Sequence, residues 1–270
     1  MIRTEREAAN VGTTKNIQAI ERAFSIMELF SKTNCTELGI KEISDMLSLN
    51  KSTTFGLIHT LANLGYLQQN PSNQKYALSL KCLRFADMVN NQNAITRAIH
   101  PFLAQIEREY GETTHCAVDH GDSIIYIDKV EAVNTSIYIS TKIGSQNDFH
   151  CTGVGKCILA YLPQERQKQI LSKELKRKTP NTITDPKQLQ SELQTILENG
   201  YAMDKEEIYL GLSCVSVPIF SNPNTVGCAI SVSSTTQRIS LACENGLIDR
   251  LKQASVQISK AVFSYENPSS

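Results

Sequence analysis

Ile40-Lys41-Glu42-Ile43-Ser44-Asp45-Met46-Leu47, then Ser48-Leu49-Asn50, then Lys51-Ser52-Thr53-Thr54-Phe55-Gly56-Leu57-Ile58-His59-Thr60-Leu61-Ala62-Asn63-Leu64 is the stretch on which the fold turns. Ile40, Ile43 and Leu47 recur at helical spacing, so the first segment reads as a short helix. Asn50 belongs to the residue types that cap a helix by accepting from the orphan N–H groups of its first turn. Leu57, Ile58, Leu61 and Leu64 form the buried stripe of the next helix, and Gly65 suits its end. Tyr66–Gln69 and Lys75–Leu78 alternate around Pro71-Ser72-Asn73, as two strands of a hairpin do. A preceding helix over 16–31, with Ile17, Ile20, Phe24, Met27 and Phe30 on one face, completes a winged helix-turn-helix over 16–79. In such a unit the second helix of the pair lays its first turn in the major groove of DNA. Lys51, Ser52, Thr53, Thr54 and His59 are the expected DNA-facing residues of that helix. Lys75, at the hairpin tip, is expected to reach a phosphate.

Charge supports this reading locally and not globally. The 270 residues carry 27 basic and 27 acidic side chains, a net charge of zero that does not advertise nucleic-acid binding. Between Met46 and Ala86, however, there is no Asp or Glu, although acids make up a tenth of the chain. The same window holds Lys51, Lys75, Lys81 and Arg84, so its surface can approach phosphates without repulsion. No apolar run approaches the ~20 residues of a membrane span. Residues 1–15 mix charges of both signs without an apolar core, which predicts a flexible tail and neither a signal peptide nor an anchor. The eight cysteines, Cys35, Cys82, Cys116, Cys151, Cys157, Cys214, Cys228 and Cys243, show no CxxC pair and sit in apolar surroundings. They read as reduced, mostly buried thiols of a cytoplasmic protein.

Residues 80–98 contain neither Pro nor Gly and are expected to form a linker helix. His100-Pro101 then opens a new helix, with Phe102, Leu103, Ile106 and Tyr110 on one side and Gly111 at its close. From Thr113 the pattern is α+β. A hairpin runs through Cys116–Val118 and Ile124–Ile127 about His120-Gly121-Asp122, and a short strand is expected over 137–139. Helices are expected from Gly155 to Tyr161 and from Pro186 to Asn199, the latter ended by Gly200. Val215–Phe220 and Val226–Ser233 flank the turn Ser221-Asn222-Pro223-Asn224. A terminal helix carries Leu247, Leu251, Ala254, Ile258, Val262 and Tyr265. Antiparallel hairpins covered by helices define a second domain over 99–265.

Few constellations point to chemistry. His115-Cys116 and His150-Cys151 are neighbours, and adjacent strand residues point to opposite faces, so neither pair makes a nucleophile with its base. His115, His120, His150, Cys151 and Cys157 fit no standard zinc spacing. No enzyme activity, metal or cofactor is expected. Gly155-Lys156 instead opens a helix whose backbone N–H groups favour an anion such as a carboxylate. Ser231 and Ser233 share one face of a strand, and Cys214 and Ser216 do likewise on its partner, which suggests the lining of a pocket.

These pieces together resemble one family, the IclR-type transcriptional regulators, over residues 16 to about 265. Lys51-Ser52-Thr53 and Leu64-Gly65-Tyr66-Leu67 look like the ends of its recognition helix. Gly144 followed by His150-Cys151-Thr152-Gly153-Val154-Gly155-Lys156 is similar to one signature of the C-terminal domain. Gly200-Tyr201-Ala202-Met203-Asp204-Lys205-Glu206-Glu207 and Gly211-Leu212-Ser213-Cys214-Val215-Ser216-Val217-Pro218-Ile219 are similar to another. The resemblance implies a GAF-like effector domain, a homodimer joined through the DNA-binding domains, and tetramers on operator DNA. It implies an effector pocket at Gly153, Val154, Asp204, Leu212, Cys214, Ser231 and Ser233. Two departures stand out: Gly56 occupies a position where the family carries Arg, and Asn147-Asp148-Phe149 replaces apolar residues before His150.

The expected function is therefore a sequence-specific regulator, with repression the favoured sense, binding double-stranded operator DNA under control of a small carboxylate metabolite. Two alternatives accompany it: an α+β metabolite-binding or enzymatic domain with a helical dimerisation module, and a regulator whose cysteines sense redox state or metal.

Overall fold

The computed structural model describes residues 16–33, 35–92, 94–133 and 139–263, and these divide into two compact units that meet in sequence at Gln92/Asn93. The expected tail over 1–15, most of the expected strand over 137–139, and Tyr265 lie outside the described residues.

The first unit contains α1 (Gln18–Thr33), α2 (Ile40–Met46), α3 (Lys51–Asn63), the strands β1 (Leu67–Gln69) and β2 (Tyr76–Leu78), and, after a 3-10 turn at Leu80–Cys82, α4 (Leu83–Gln92). Ile26, Leu29, Phe30, Leu38, Ile43, Ile58, Leu61, Leu67 and Tyr76 make its core. This corrects the expected stripe on α1. Phe30 is buried, but Ile17, Ile20 and Phe24 are exposed, and Ile26 and Leu29 take the inward positions. The i, i+3, i+7 series of apolar residues continues up the helix beyond the point where α3 and β2 can cover it. Asn50 sits at the N-cap of α3 with extended backbone, yet its side chain makes no cap hydrogen bond. The turn between α2 and α3 is made by Ser48 in the left-handed region (φ 51°), and Gly65 (φ 79°) ends α3 as expected.

The second unit is a six-stranded antiparallel sheet in the order β5-β4-β3-β8-β7-β6, built from β3 (Thr113–His120), β4 (Ser123–Val130), β5 (Gln146–Asn147), β6 (Ala202–Lys205), β7 (Leu212–Asn222) and β8 (Thr225–Thr235). Its helices are α5 (Ala94–Tyr110), α6 (Gly153–Ala160), α7 (Gln164–Leu171), α8 (Pro186–Asn199), α9 (Thr236–Glu244) and α10 (Leu247–Phe263). The linker expected over 80–98 is not one helix. It comprises the 3-10 turn, α4 and the start of α5, and Pro101 lies inside α5 and does not open it. A proline removes one backbone donor. The helix persists because Ile99, Leu103 and Ile106 on either side of Pro101 are fully buried.

Strand alternation sorts the sheet's two faces. On one, Cys116, Val215, Val217, Ile219, Cys228, Ile230 and Val232 pack with α5, α9 and α10. On the other, Ala117, Tyr126 and Ala229 pack with α6 and α8. Ser231 and Ser233 continue the Ala229 face, paired with Ser216 and Cys214 across β7. Small residues let α6 approach this face closely. A Cβ on Gly153 would overlap Ser216 Oγ and lie 2.7 Å from Cys214 Sγ, and one on Gly155 would overlap Thr152 Oγ1 and lie 2.6 Å from the Phe149 carbonyl oxygen.

Gly155→Ala should therefore destabilise the second unit by about 1–3 kcal/mol through overpacking, although alanine is intrinsically ~1 kcal/mol better than glycine in a helix. Chemical denaturation of the full chain measures this. An unchanged or raised midpoint would show that α6 has room at that position.

Candidate functional site

The first candidate site is the outward side of α3. Lys51, Ser52 and His59 are exposed there, and Thr53 is half-buried at the flank. Thr54 is a correction: it is fully buried, its hydroxyl donating to the Asn50 carbonyl at 3.1 Å, so it belongs to the core beneath the helix start. The helical repeat explains this, because Thr54 precedes Ile58 and Leu61 by four and seven residues and shares their inward face. Leu64, expected in the buried stripe, is exposed. Phe55 and His59 stack on each other, ring centroids 5.9 Å apart, and the Asn63 amide nitrogen lies 3.1 Å from His59 Nδ1.

The hairpin is fastened to the helices by two carboxylates. Glu37 accepts from Asn70 Nδ2 at 2.8 Å and from Asn73 Nδ2 at 2.7 Å. These bonds hold its pKa below the ordinary carboxylate value. Glu42 accepts from the Gly39 N–H and pairs with Lys75 Nζ at 3.0 Å. Lys75 thus stands at the base of β2, past the turn, and is already partnered. An exposed pair of this kind contributes ~0–1 kcal/mol, so it is readily exchanged for a phosphate. Lys81, by contrast, donates to the Leu64 carbonyl at 2.7 Å and lies over the Tyr66 ring, closing the end of α3.

The second candidate site is a cavity of about 350 Å³ in the second unit. Val154, Asp204, Leu212, Cys214, Ser231 and Ser233 line it, which is six of the seven expected positions. Gly153 does not. Its Cα faces the Ser216 and Cys214 side chains, and it serves to bring α6 close. The N-terminus of α6 is also partly closed to a ligand, because Thr152 Oγ1 accepts from the Gly155 N–H at 2.9 Å. Lys156 is fully buried and does not line the cavity; its ammonium pairs with the carboxylates of Glu207 and, at 3.2 Å, Glu192.

His115, Tyr126, Asn147, Thr152 and the loop Ile208–Gly211 also line the cavity; the sequence marks Asn147 as a departure near it and His115 only as a rejected base or metal ligand, and it does not single out Tyr126 or Ile208–Leu210. His115 shares its face of β3 with Ala117, so strand alternation marked it, but nothing local said that β3 would pair with β8. Its Nδ1 is 3.4 Å from Ser233 Oγ, its ring meets Tyr126 edge-on, and its Nε2 has no partner. Burial, with help from Lys129, lowers its pKa to about 3, so the imidazole is neutral. Asp204 is buried beside these groups. Burial and the neighbouring Glu207 carboxylate raise its pKa to about 7, against backbone N–H bonds from Glu207 and Ile208. Burial pushes the Cys214 thiol up to about 12. No Lys or Arg side chain is among the described residues that line the cavity.

All eight cysteines are free thiols, five of them buried. Among the described residues, Asp148, His150 and Cys151 bring ligand-type atoms within 4.8 Å of one another. Two of them have other partners, since His150 Nε2 lies 3.0 Å from the Lys176 carbonyl and Asp148 pairs with Lys178, and burial first and Asp148 second keep Cys151 protonated, its pKa about 12.

Comparison with known proteins bears on both sites. Residues 19–71 match the family model of the IclR helix-turn-helix domain, and residues 87–260 match that of the bacterial transcriptional regulator IclR C-terminal domain. The HTH-type transcriptional regulator XynR of Escherichia coli K12 is 34% identical over 247 residues, 91% of this chain and 97% of that protein. The DNA-binding transcriptional repressor YiaJ of the same organism is 29% identical over 247 residues, 90% of this chain and 86% of that protein. A crystal structure of an IclR homolog complexed with 4-hydroxybenzoate, from Microbacterium hydrocarbonoxydans, superposes with a TM-score of 0.75 over 91% of this chain and 99% of that one. At 20% identity it shows the fold alone.

The raised pKa of Asp204 makes stability depend on pH in a defined direction. The folded state holds this proton more tightly than the unfolded chain, so stability is lost as pH rises from about 4 through about 7 and the loss is complete above that. Asp204→Asn keeps an oxygen to accept from the Glu207 N–H and removes the titration. Between pH 4 and 8 the variant's unfolding free energy should fall less with rising pH than the wild type's. Parallel pH profiles would mean that Asp204 is ionised throughout.

Proposed function

We propose, from the premise that this chain belongs to the IclR family of bacterial transcriptional regulators, that it is a repressor released from its operator by a small hydroxylated carboxylic acid. The chain is a transcriptional regulator with a helix-turn-helix DNA-binding domain, and not an enzyme. Repression is supported by the relative named as a repressor. Binding as a homodimer, with tetramers on the operator, is part of the same proposal. No helix among the described residues is long and apolar enough to cross a membrane, which suits action in the cytoplasm.

The observation that carries the effector class is the lining of the cavity. Thr152, Ser231 and Ser233 supply hydroxyls, Asn147 an amide, and Asp204 a carboxyl group poised near neutrality. Such a wall matches the hydroxyl and carbonyl oxygens of a small acid. With Asp204 protonated, it donates to an anionic oxygen; ionised, it repels one. The 4-hydroxybenzoate complexed with the Microbacterium homolog is an acid of this broad class. The DNA side of the proposal rests on Lys51, Ser52, Thr53 and His59 on α3 and on Lys75 of the hairpin. Control by the effector requires that it bind the DNA-competent and DNA-incompetent forms unequally.

Two outcomes check this function. Thr53→Glu should abolish the specific retardation of DNA from upstream of the chain's own gene while the protein unfolds at its usual temperature. Operator affinity equal to the wild type would remove Thr53 from the interface. Ser233→Ala should weaken release from DNA by the inducing acid roughly tenfold, because a buried ligand group left unpaired costs ~1–3 kcal/mol, and effector-free DNA binding should be unchanged. Equal loss of both activities would make Ser233 a core residue and move the pocket elsewhere.

A further inference from the structure

We propose that Phe55 reads thymine: its exposed ring meets a thymine C5-methyl group in the major groove of the operator. The inference rests on the DNA-binding reading above and specifies what the recognition helix recognises.

Four observations converge on Phe55. The side chain is 52% exposed on the outward side of α3, one turn into the helix, among Ser52, Gly56 and His59. The ring stacks on that of His59, with an interplanar angle of 24°. Gly56, next to it, leaves the middle of the face hollow: a Cβ there would meet nothing within 4 Å. The helix therefore presents no side chain at Gly56, and the Phe55 ring stands exposed beside that gap. Finally, no carboxylate lies anywhere from Met46 to Ala86, so charge favours a polyanion over most protein partners for this face.

The chemistry of the ring selects the base. In the major groove thymine alone among the four bases offers a methyl group, and apolar side chains, Phe among them, contact it. Thymine also presents the O4 acceptor. His59 complements this. With the Asn63 amide donating to Nδ1, its proton sits on Nε2, so the second ring of the stack offers a donor. The stacked pair thus matches both major-groove features of thymine.

The test uses the full chain and begins with sequences enriched from a random duplex library at fixed salt. Each thymine of the enriched half-site is then replaced by deoxyuridine, which removes only the methyl, and affinity is read by fluorescence anisotropy. The wild type should lose about fivefold to tenfold at one or two thymines, the low end of the range of a single altered base pair. Phe55→Ala should bind the thymine duplex about as weakly as the wild type binds the deoxyuridine duplex, and should not distinguish the two. Phe55→Leu, which keeps an apolar group, should retain part of the discrimination. A wild type indifferent to every deoxyuridine, or a Phe55→Ala variant that still discriminates fully, overturns the proposal. So does a changed sedimentation coefficient or melting temperature in Phe55→Ala, which would place the ring against a second copy or in the fold. Failure of the library to yield any enriched sequence is a separate result and overturns the DNA-binding reading itself.

Discussion

Lys156 cannot be solvated, and the region around the cavity is organised by that constraint. Its side chain is buried where α6 meets β7 and α8, with Glu207 on one side and Glu192 on the other. Burial alone would drive its proton off, but the two carboxylates outweigh it and hold the pKa above the ordinary lysine value. Taking an ammonium and a carboxylate out of water costs several kcal/mol each, and removing one partner of such a pair is strongly destabilising. Glu207 is therefore fixed in place, and with it the loop that it begins. The Glu207 N–H donates to Asp204 Oδ1 at 2.7 Å, and its carbonyl accepts from Thr182 Oγ1 at 2.6 Å. The residues that follow, Ile208 to Gly211, are one wall of the cavity. The buried pair of Lys156 and Glu207 thereby sets the position of the wall and the electrostatics of Asp204.

The same cavity shows how a polar site is kept inside an apolar sheet. β8 has one face that is apolar from Cys228 through Ile230 to Val232, packed under α5, α9 and α10. Its other face changes from Ala229, beneath α6, to Ser231 and Ser233, beyond α6. The change of residue type marks the place where helix gives way to cavity. Hydroxyls facing a dry interface would be left without partners, whereas hydroxyls facing a cavity meet a ligand or water. Neutral His115, a protonatable Asp204 and raised thiols leave the wall with little fixed charge near neutral pH. Such a wall binds by hydrogen bonds, and selectivity then comes from how many of them a given acid can complete.

In the first unit the relevant constraint is rigidity. An isolated two-stranded hairpin is marginal in water, and here Leu67 and Tyr76 pack it into the helical core. Glu37 and Glu42 supply the rest, binding Asn70, Asn73 and Lys75 of the hairpin. These two acids lie before residue 46, and the stretch from Met46 to Ala86, which includes all of α3 and the hairpin, carries no acidic side chain, as contact with phosphate requires.

Local chemistry by itself determined the element types. The helical repeat in Ile40–Leu64, the turn residues Gly65 and Pro71-Ser72-Asn73, and the hairpin about Pro223-Asn224 are short-range signals, and each element formed where they placed it. The alternation at Ser231 and Ser233 likewise marked one strand face as unlike its neighbour. Tertiary structure decided the rest, because burial depends on what lies opposite. Ile17, Ile20 and Phe24 carry the same periodicity as Phe30 but are exposed, so pattern alone could not separate them. Thr54 reads as polar by type and is core by position. His115 joined the cavity only when β3 paired with β8, a contact between segments far apart in the chain, and Gly153 left it only when α6 settled onto Cys214 and Ser216. A residue's own chemistry states what it can do, and long-range packing chooses which surface it does it on.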